Sequence, residues 1–136
     1  MKTQANGPCP CGSQHKYKRC CRPLHRGRAA DTPVALMRSR YSAYALGLAD
    51  YLLDTTHPEG PRWEADTSDW RDRVRAFCHD CSFDGLEVLT SSLGPDPDRG
   101  EVHFRVTLTR GGQPAGFSER SQFRRRDGRW LYHSGR

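Results

Sequence analysis

Four of the six cysteines in this 136-residue chain fall between positions 9 and 21, as Cys9-Pro10-Cys11-Gly12-Ser13 and, after Gln14 to Arg19, the adjacent pair Cys20-Cys21. That spacing constrains the fold more than any other feature. Two Cys-rich pairs separated by eight residues bring four sulfurs to one point if the chain turns sharply after Cys11, and Gly12 and Ser13 allow such a turn. Zinc takes four soft ligands in a tetrahedron, with thiolates at about 2.3 Å. The four sulfurs then carry a net charge of about −2 with the ion, which backbone N–H groups and the nearby Lys16, Lys18 and Arg19 offset. Adjacent cysteines bridge each other only with backbone strain, and iron–sulfur clusters use other spacings, so zinc is the first expectation and a cluster the second. Cys9, Cys11, Cys20 and Cys21 are the expected ligands of one structural Zn2+, with His25 in reserve for the fourth position.

The N-terminal stretch Met1–Pro8 lacks the apolar run of a secretory signal, and no run of about 18 apolar residues exists to span a membrane. A cytoplasmic, reducing location is therefore expected, which also favours thiolate ligation over disulfides. The net charge of +6, from 22 Lys and Arg against 16 Asp and Glu, suits an acidic partner without requiring one.

Beyond the cysteines the hydrophobic period changes once. Thr32 caps and Pro33 opens a helix on which Met37, Tyr41, Tyr44, Leu48, Tyr51 and Leu52 share one apolar face, with Gly47 dividing it and the second piece running from about 48 to 55. Pro58, Gly60 and Pro61 make a loop, and a further helix runs from Thr67 or Ser68 to near His79 with Trp70, Val74 and Phe77 in a stripe. The period then falls to two. Residues 86–93 form a strand, and Val102, Phe104, Val106 and Leu108 alternate with polar neighbours over 101–110. Gly111-Gly112 and Asp127-Gly128 are hairpin turns on either side of a strand over 117–125, and a last strand covers 129–133. Helices first and an antiparallel meander of about four strands after them make an α+β domain.

The run from Cys9 to Ser13, continued by Tyr17-Lys18-Arg19-Cys20-Cys21, resembles the SEC-C motif found at the C-terminus of the SecA translocation ATPase. Its continuation through Arg22-Pro23-Leu24-His25, Leu36 to Tyr44 and Ala49 to Leu52 resembles the YchJ-like family of small bacterial proteins, as does the closing pattern Ser118 to Phe123 with Gly128 to Tyr132. The resemblance spans almost the whole chain. It implies a zinc knot over 1–28 and, over 29–136, a nuclear-transport-factor-like (cystatin-like) cone in which a curved sheet wraps helices. It departs at Gln14, where SEC-C motifs often have glycine, and at Arg22, where YchJ-like sequences commonly do. In SecA the motif engages the SecB chaperone and the ribosome, which suggests what such a knob does without transferring those partners to this chain.

The expected function is a non-enzymatic zinc module docking to a protein or ribonucleoprotein through Lys16, Lys18, Arg19, Arg22 and Arg26, with Arg28 beside them. One alternative is small-molecule binding or catalysis in a cone cavity lined by residues such as Tyr41, Tyr44, Trp130 and Tyr132. Direct nucleic-acid binding is another, with Arg120, Arg124, Arg125, Arg126 and Arg129 as a rival basic face. Cys78-His79-Asp80-Cys81 reads either as a redox or metal pair or, more simply, as small residues packed at a helix end. His57, Glu119 and His133 are conceivable acid–base groups, Glu119 and His133 meeting across the last hairpin, although no spacing marks a catalytic set.

Overall fold

The computed structural model describes residues 5–136. After a 3-10 turn at Tyr17–Arg19 come α1 (Arg22–His25), α2 (Pro33–Leu46), α3 (Ala49–Asp54) and α4 (Thr67–Asp80), then strands β1 (Cys81–Leu93), β2 (Arg99–Arg110), β3 (Gln113–Pro114), β4 (Phe117–Arg126) and β5 (Arg129–Gly135). The main sheet is antiparallel with order β1-β2-β4-β5, and the two-residue β3 pairs with β2 off that path.

The helix boundaries follow their local chemistry. Thr32 Oγ1 accepts from the Ala35 N–H at 3.1 Å, and Pro33 fills the first position, where no N–H is needed. Gly47 ends α2 in the left-handed region at φ +74°, which aims the following N–H groups back at the carbonyls of Tyr44 and Ala43. Asp66 caps α4 through the Asp69 N–H. Both expected hairpin turns form: Gly111 and Gly112 join Arg110 to Gln113, and Asp127 and Gly128 join Arg126 to Arg129, all four with positive φ. The first of them leads into β3 rather than straight into β4. Gly116 then lets the chain press onto β2, where a Cβ would lie 2.6 Å from the Val106 carbonyl oxygen.

The sequence places the start of the first strand at residue 86, but β1 begins at Cys81, directly where α4 ends, with no loop between them. Bulges near Phe83–Gly85 and Val88–Thr90 break its alternation, and broken alternation hides a strand from a period-two reading. The free edge of β5 is covered by Thr55–His57: Tyr132 donates to the Thr55 carbonyl at 2.8 Å, and His57 donates to the Tyr132 carbonyl at 2.7 Å. Gly60 lies so close behind that a Cβ there would stand 2.3 Å from the His133 carbonyl oxygen.

Val102, Phe104, Val106 and Leu108 all point inward and are buried, as the alternation requires. They meet Leu36, Met37 and Tyr41 of α2, with Phe123 and Trp130 from the last hairpin. Each such fully buried side chain stabilises the fold by about 1.5–3 kcal/mol relative to exposure. The same cluster contains Cys9, Cys11 and Cys21. The knot is therefore packed into the core of the cone and does not hang from it as an appendage.

Candidate functional site

The knot closes through short backbone contacts. Pro8 pairs with Lys16 as an isolated bridge, the Cys9 N–H reaches the His15 carbonyl at 2.9 Å, and the Gly12 N–H returns to the Cys9 carbonyl at 3.2 Å. Two residues in this loop take positive φ, Gly12 at +77° and Gln14 at +72°. The turn at Tyr17–Arg19 then brings the chain back, and Cys21 opens α1.

This path gathers the four sulfurs. The Sγ atoms of Cys9, Cys11, Cys20 and Cys21 all lie within 4.8 Å of one another. Cys11 and Cys20 are 3.6 Å apart, and Cys20 and Cys21 3.9 Å. Tetrahedral thiolates at about 2.3 Å from an ion sit about 3.8 Å from one another, so the donor set and its spacing fit a metal ion. Packed this closely, the thiols perturb one another. Hydrogen bonds from Cys21 and Cys9 hold the Cys11 thiol far below the usual thiol range. Cys21, the donor toward Cys11 and Cys9, is pushed far up, and burial pushes Cys20 up to about 11. One sulfur can carry a negative charge unaided; four can do so together only around a cation.

The sulfurs are positioned from outside the knot. Ser42 of α2, fully buried, bonds Cys21 Sγ at 3.3 Å and Cys9 Sγ at 3.5 Å. Arg38, one turn earlier on that helix, donates to the Cys11 carbonyl at 2.9 Å, and Ser13 Oγ lies 3.1 Å from Cys20 Sγ. Sequence reasoning missed Arg38 and Ser42. Their four-residue spacing on a helix was the available sign, but polar residues at that spacing ordinarily mark a solvated face. His25 is not in the ligand group. Its Nδ1 meets the Tyr17 hydroxyl at 2.6 Å and its Nε2 the Ser39 carbonyl at 2.8 Å, so one ring nitrogen is held within the knot and the other ties the knot to α2.

The remaining candidates separate clearly. Burial pushes the Cys78 thiol up to about 11, against what an activated thiol needs, and neither Cys78 nor Cys81 joins a metal-capable group among the described residues. Glu119 and His133 do not meet. Glu119 faces inward beside Ser121, whose hydroxyl it accepts at 2.6 Å, while His133 packs edge-on against His57 with ring centroids 5.4 Å apart. A cavity of about 490 Å³ opens between the sheet and the helices, and Tyr41, Tyr44 and Tyr132 line it as expected. Trp130 does not; it is buried in the core, with Arg125 over its ring at 5.3 Å.

Residues 32–135 match the family model described as the middle NTF2-like domain of YchJ, and residues 6–23 match the SEC-C motif. The chain belongs to the YchJ-like family. A UPF0225 protein of Deinococcus radiodurans is 44% identical over 126 residues, covering 92% of this chain and 85% of its own. One from Vibrio parahaemolyticus is 38% identical, over 93% of this chain and 73% of its own. Among solved structures, a SEC-C motif containing protein from Rhodopseudomonas palustris is 42% identical with a TM-score of 0.80, covering 95% of this chain and 97% of that one. A second, from Psychrobacter arcticus, has the same TM-score over 96% of this chain and 82% of that one, and at 22% identity it speaks for the fold alone. No helix among the described residues is long and apolar enough to cross a membrane.

Proposed function

We propose that this protein is a zinc-stabilised interaction module that docks to an acidic protein or ribonucleoprotein partner through the cationic rim of its knot. Zinc suits the site because four thiolates at tetrahedral spacing form a soft, closed donor set with no position left for a substrate. The observation that carries the docking reading is a contrast in charge pairing. Lys16, Lys18, Arg19, Arg22 and Arg26 have no carboxylate within 4 Å among the described residues. On the rival face three of the five arginines are matched, Arg120 with Glu101, Arg125 with Asp98 and Arg126 with Glu59, which leaves Arg124 and Arg129 without a carboxylate among the described residues. Cations already matched on their own surface offer a partner little, whereas five unmatched ones beside a rigid metal knot form a ready acidic-surface receptor.

The test uses the zinc-loaded chain and a variant with all five residues changed to Glu, titrated against labelled ribosomes, transfer RNA and poly-glutamate from 50 to 300 mM salt. Elemental analysis of both proteins should give one zinc per chain. Binding of the parent at physiological salt to at least one of the three, weakened more than tenfold in the variant, supports the reading. Equal binding by the two proteins, or none by the parent, removes it. A preference for transfer RNA with a steep salt slope would make nucleic acid the partner class.

A further inference from the structure

Arg40 is a buried cation whose charge no carboxylate among the described residues neutralises directly. It projects from α2 and is 9% exposed. Its Nη1 donates to the Leu52 carbonyl at 2.9 Å and to Thr55 Oγ1 at 2.7 Å, with Thr56 Oγ1 at 3.5 Å, all uncharged acceptors. The guanidinium carbon lies over the Tyr132 ring, 4.7 Å from its centre. Among the described residues no carboxylate stands within 4 Å and no hydrogen bond reaches Nε or Nη2. A buried charge is costly unless it is paired. Leu52 lies near the C-terminal end of α3, where the helix dipole is favourable to a cation, and this accounts for one nitrogen of the three.

Arg40 is part of the wall of the cavity of about 490 Å³. That volume is in the range of small-molecule sites, and most of its wall is apolar, including Tyr44, Phe77, Phe83, Phe104 and Phe117. One carboxylate is set into the sheet side of this wall. Glu119 sits opposite Phe104 on β2, faces inward with Ser121 and Phe123, and among the described residues is bonded by the Ser121 hydroxyl alone. The Tyr132 hydroxyl lies within the influence of both charges: it is raised by burial first and then by Glu119, and it is lowered by Arg40 and Arg62. Three further charges line the cavity, the exposed Arg62 and the paired Glu64 and Arg73, so among the described residues Arg40 is its buried cation without a carboxylate partner and Glu119 its carboxylate without a cation.

We infer that the cone binds a small organic acid with an apolar body, whose carboxylate is taken by Arg40 and whose hydroxyl or ammonium group is taken by Glu119. The aromatic wall selects the body, and Arg40 and Glu119 fix its direction. This site is separate from the knot and independent of its docking role.

Isothermal titration and ligand-observed NMR with the metal-loaded full chain decide it, using 3-phenyllactate, 3-phenylpropanoate and 3-phenylpropanamide as probes. The expected order is phenyllactate tightest and the amide at least tenfold weaker than phenylpropanoate. Arg40→Gln should abolish the preference for the acid over the amide. Because that variant also loses the Nη1 bonds and can fail to fold, Glu119→Gln serves as the second probe. It should cut the advantage of phenyllactate over phenylpropanoate severalfold while binding phenylpropanoate at least as well as the parent. Equal affinity for acid and amide, an unchanged hydroxyl advantage in Glu119→Gln, or no binding of any probe would each overturn the inference.

Discussion

Gln14 stands at φ +72°, a region in which a side chain with a Cβ is strained by about 1–2 kcal/mol and glycine is not. That is the physical content of the glycine often found at this position in SEC-C motifs. The side chain is exposed, so its removal costs no packing, and the extra freedom of glycine in the unfolded chain returns only part of the gain. Gln14→Gly should therefore raise the urea midpoint of the metal-loaded protein, by about 0.5–1 kcal/mol in stability. A lower midpoint would mean that Gln14 makes a compensating contact. At this scale the four cysteines were legible in the sequence, because their chemistry and spacing are local. Arg38, Ser42 and Arg40 were not. A serine or arginine on a helix reads as solvated until the fold shows what lies against it, and here a sulfur cluster, a carbonyl and a cavity do.

Among the elements, α2 explains most of what the sequence reading saw and what it overlooked. Its face of Met37, Tyr41 and Tyr44 turns to the sheet and the cavity, and that face was found from its period, whereas Arg40 on the same side was not. A second face, Arg38, Ser39 and Ser42, is given to the knot. A helix buried on two sides has no single apolar stripe, so only the first side was visible. The strand that begins without a loop at Cys81 was missed for a related reason, since its bulges break the alternation. His25 ties the two faces of this junction together, and its position makes a pH prediction. Burial holds its imidazole below the ordinary value of about 6.5, with the Ser39 carbonyl and the Cys11 charge opposing. The unfolded chain then takes up a proton near pH 6.5 that the native chain accepts only at lower pH. The stability that His25 contributes is complete above about pH 6.5 and is lost as pH falls through the lowered native value. Urea unfolding of the parent and of His25→Gln between pH 7.5 and 5.5 isolates this term, because thiolate protonation is common to both. The parent should lose more stability than the variant over that span; parallel curves would remove His25 as the cause.

For the whole molecule, the sharing of one core by knot and cone changes what metal loss should do. Read from the sequence, the knot over 1–28 and the cone over 29–136 are separable, and removing a ligand should unfold about the first twenty-five residues only. With Cys9, Cys11 and Cys21 packed in one cluster with Leu36, Val102 and Phe104, the damage should spread into the sheet. In Cys20→Ser, or after chelation, amide resonances of Val102 and Phe104 should shift or broaden together with those of the knot, and the thermal midpoint should fall. Changes confined to residues 5–28 would restore the separable picture. The locality of the ligands has another side, which concerns the order of events during synthesis. All four sulfurs are made before Ser42, and long before the strands that complete the core. Closing a loop of thirteen residues costs little entropy beside pairing strands from distant parts of the chain. An ion caught at that stage gives the later helices and sheet a preformed wall on which to condense. A cell short of that ion while the chain is being made would lose the scaffold itself, and supplying the metal afterwards would come too late for chains that had already collapsed without it.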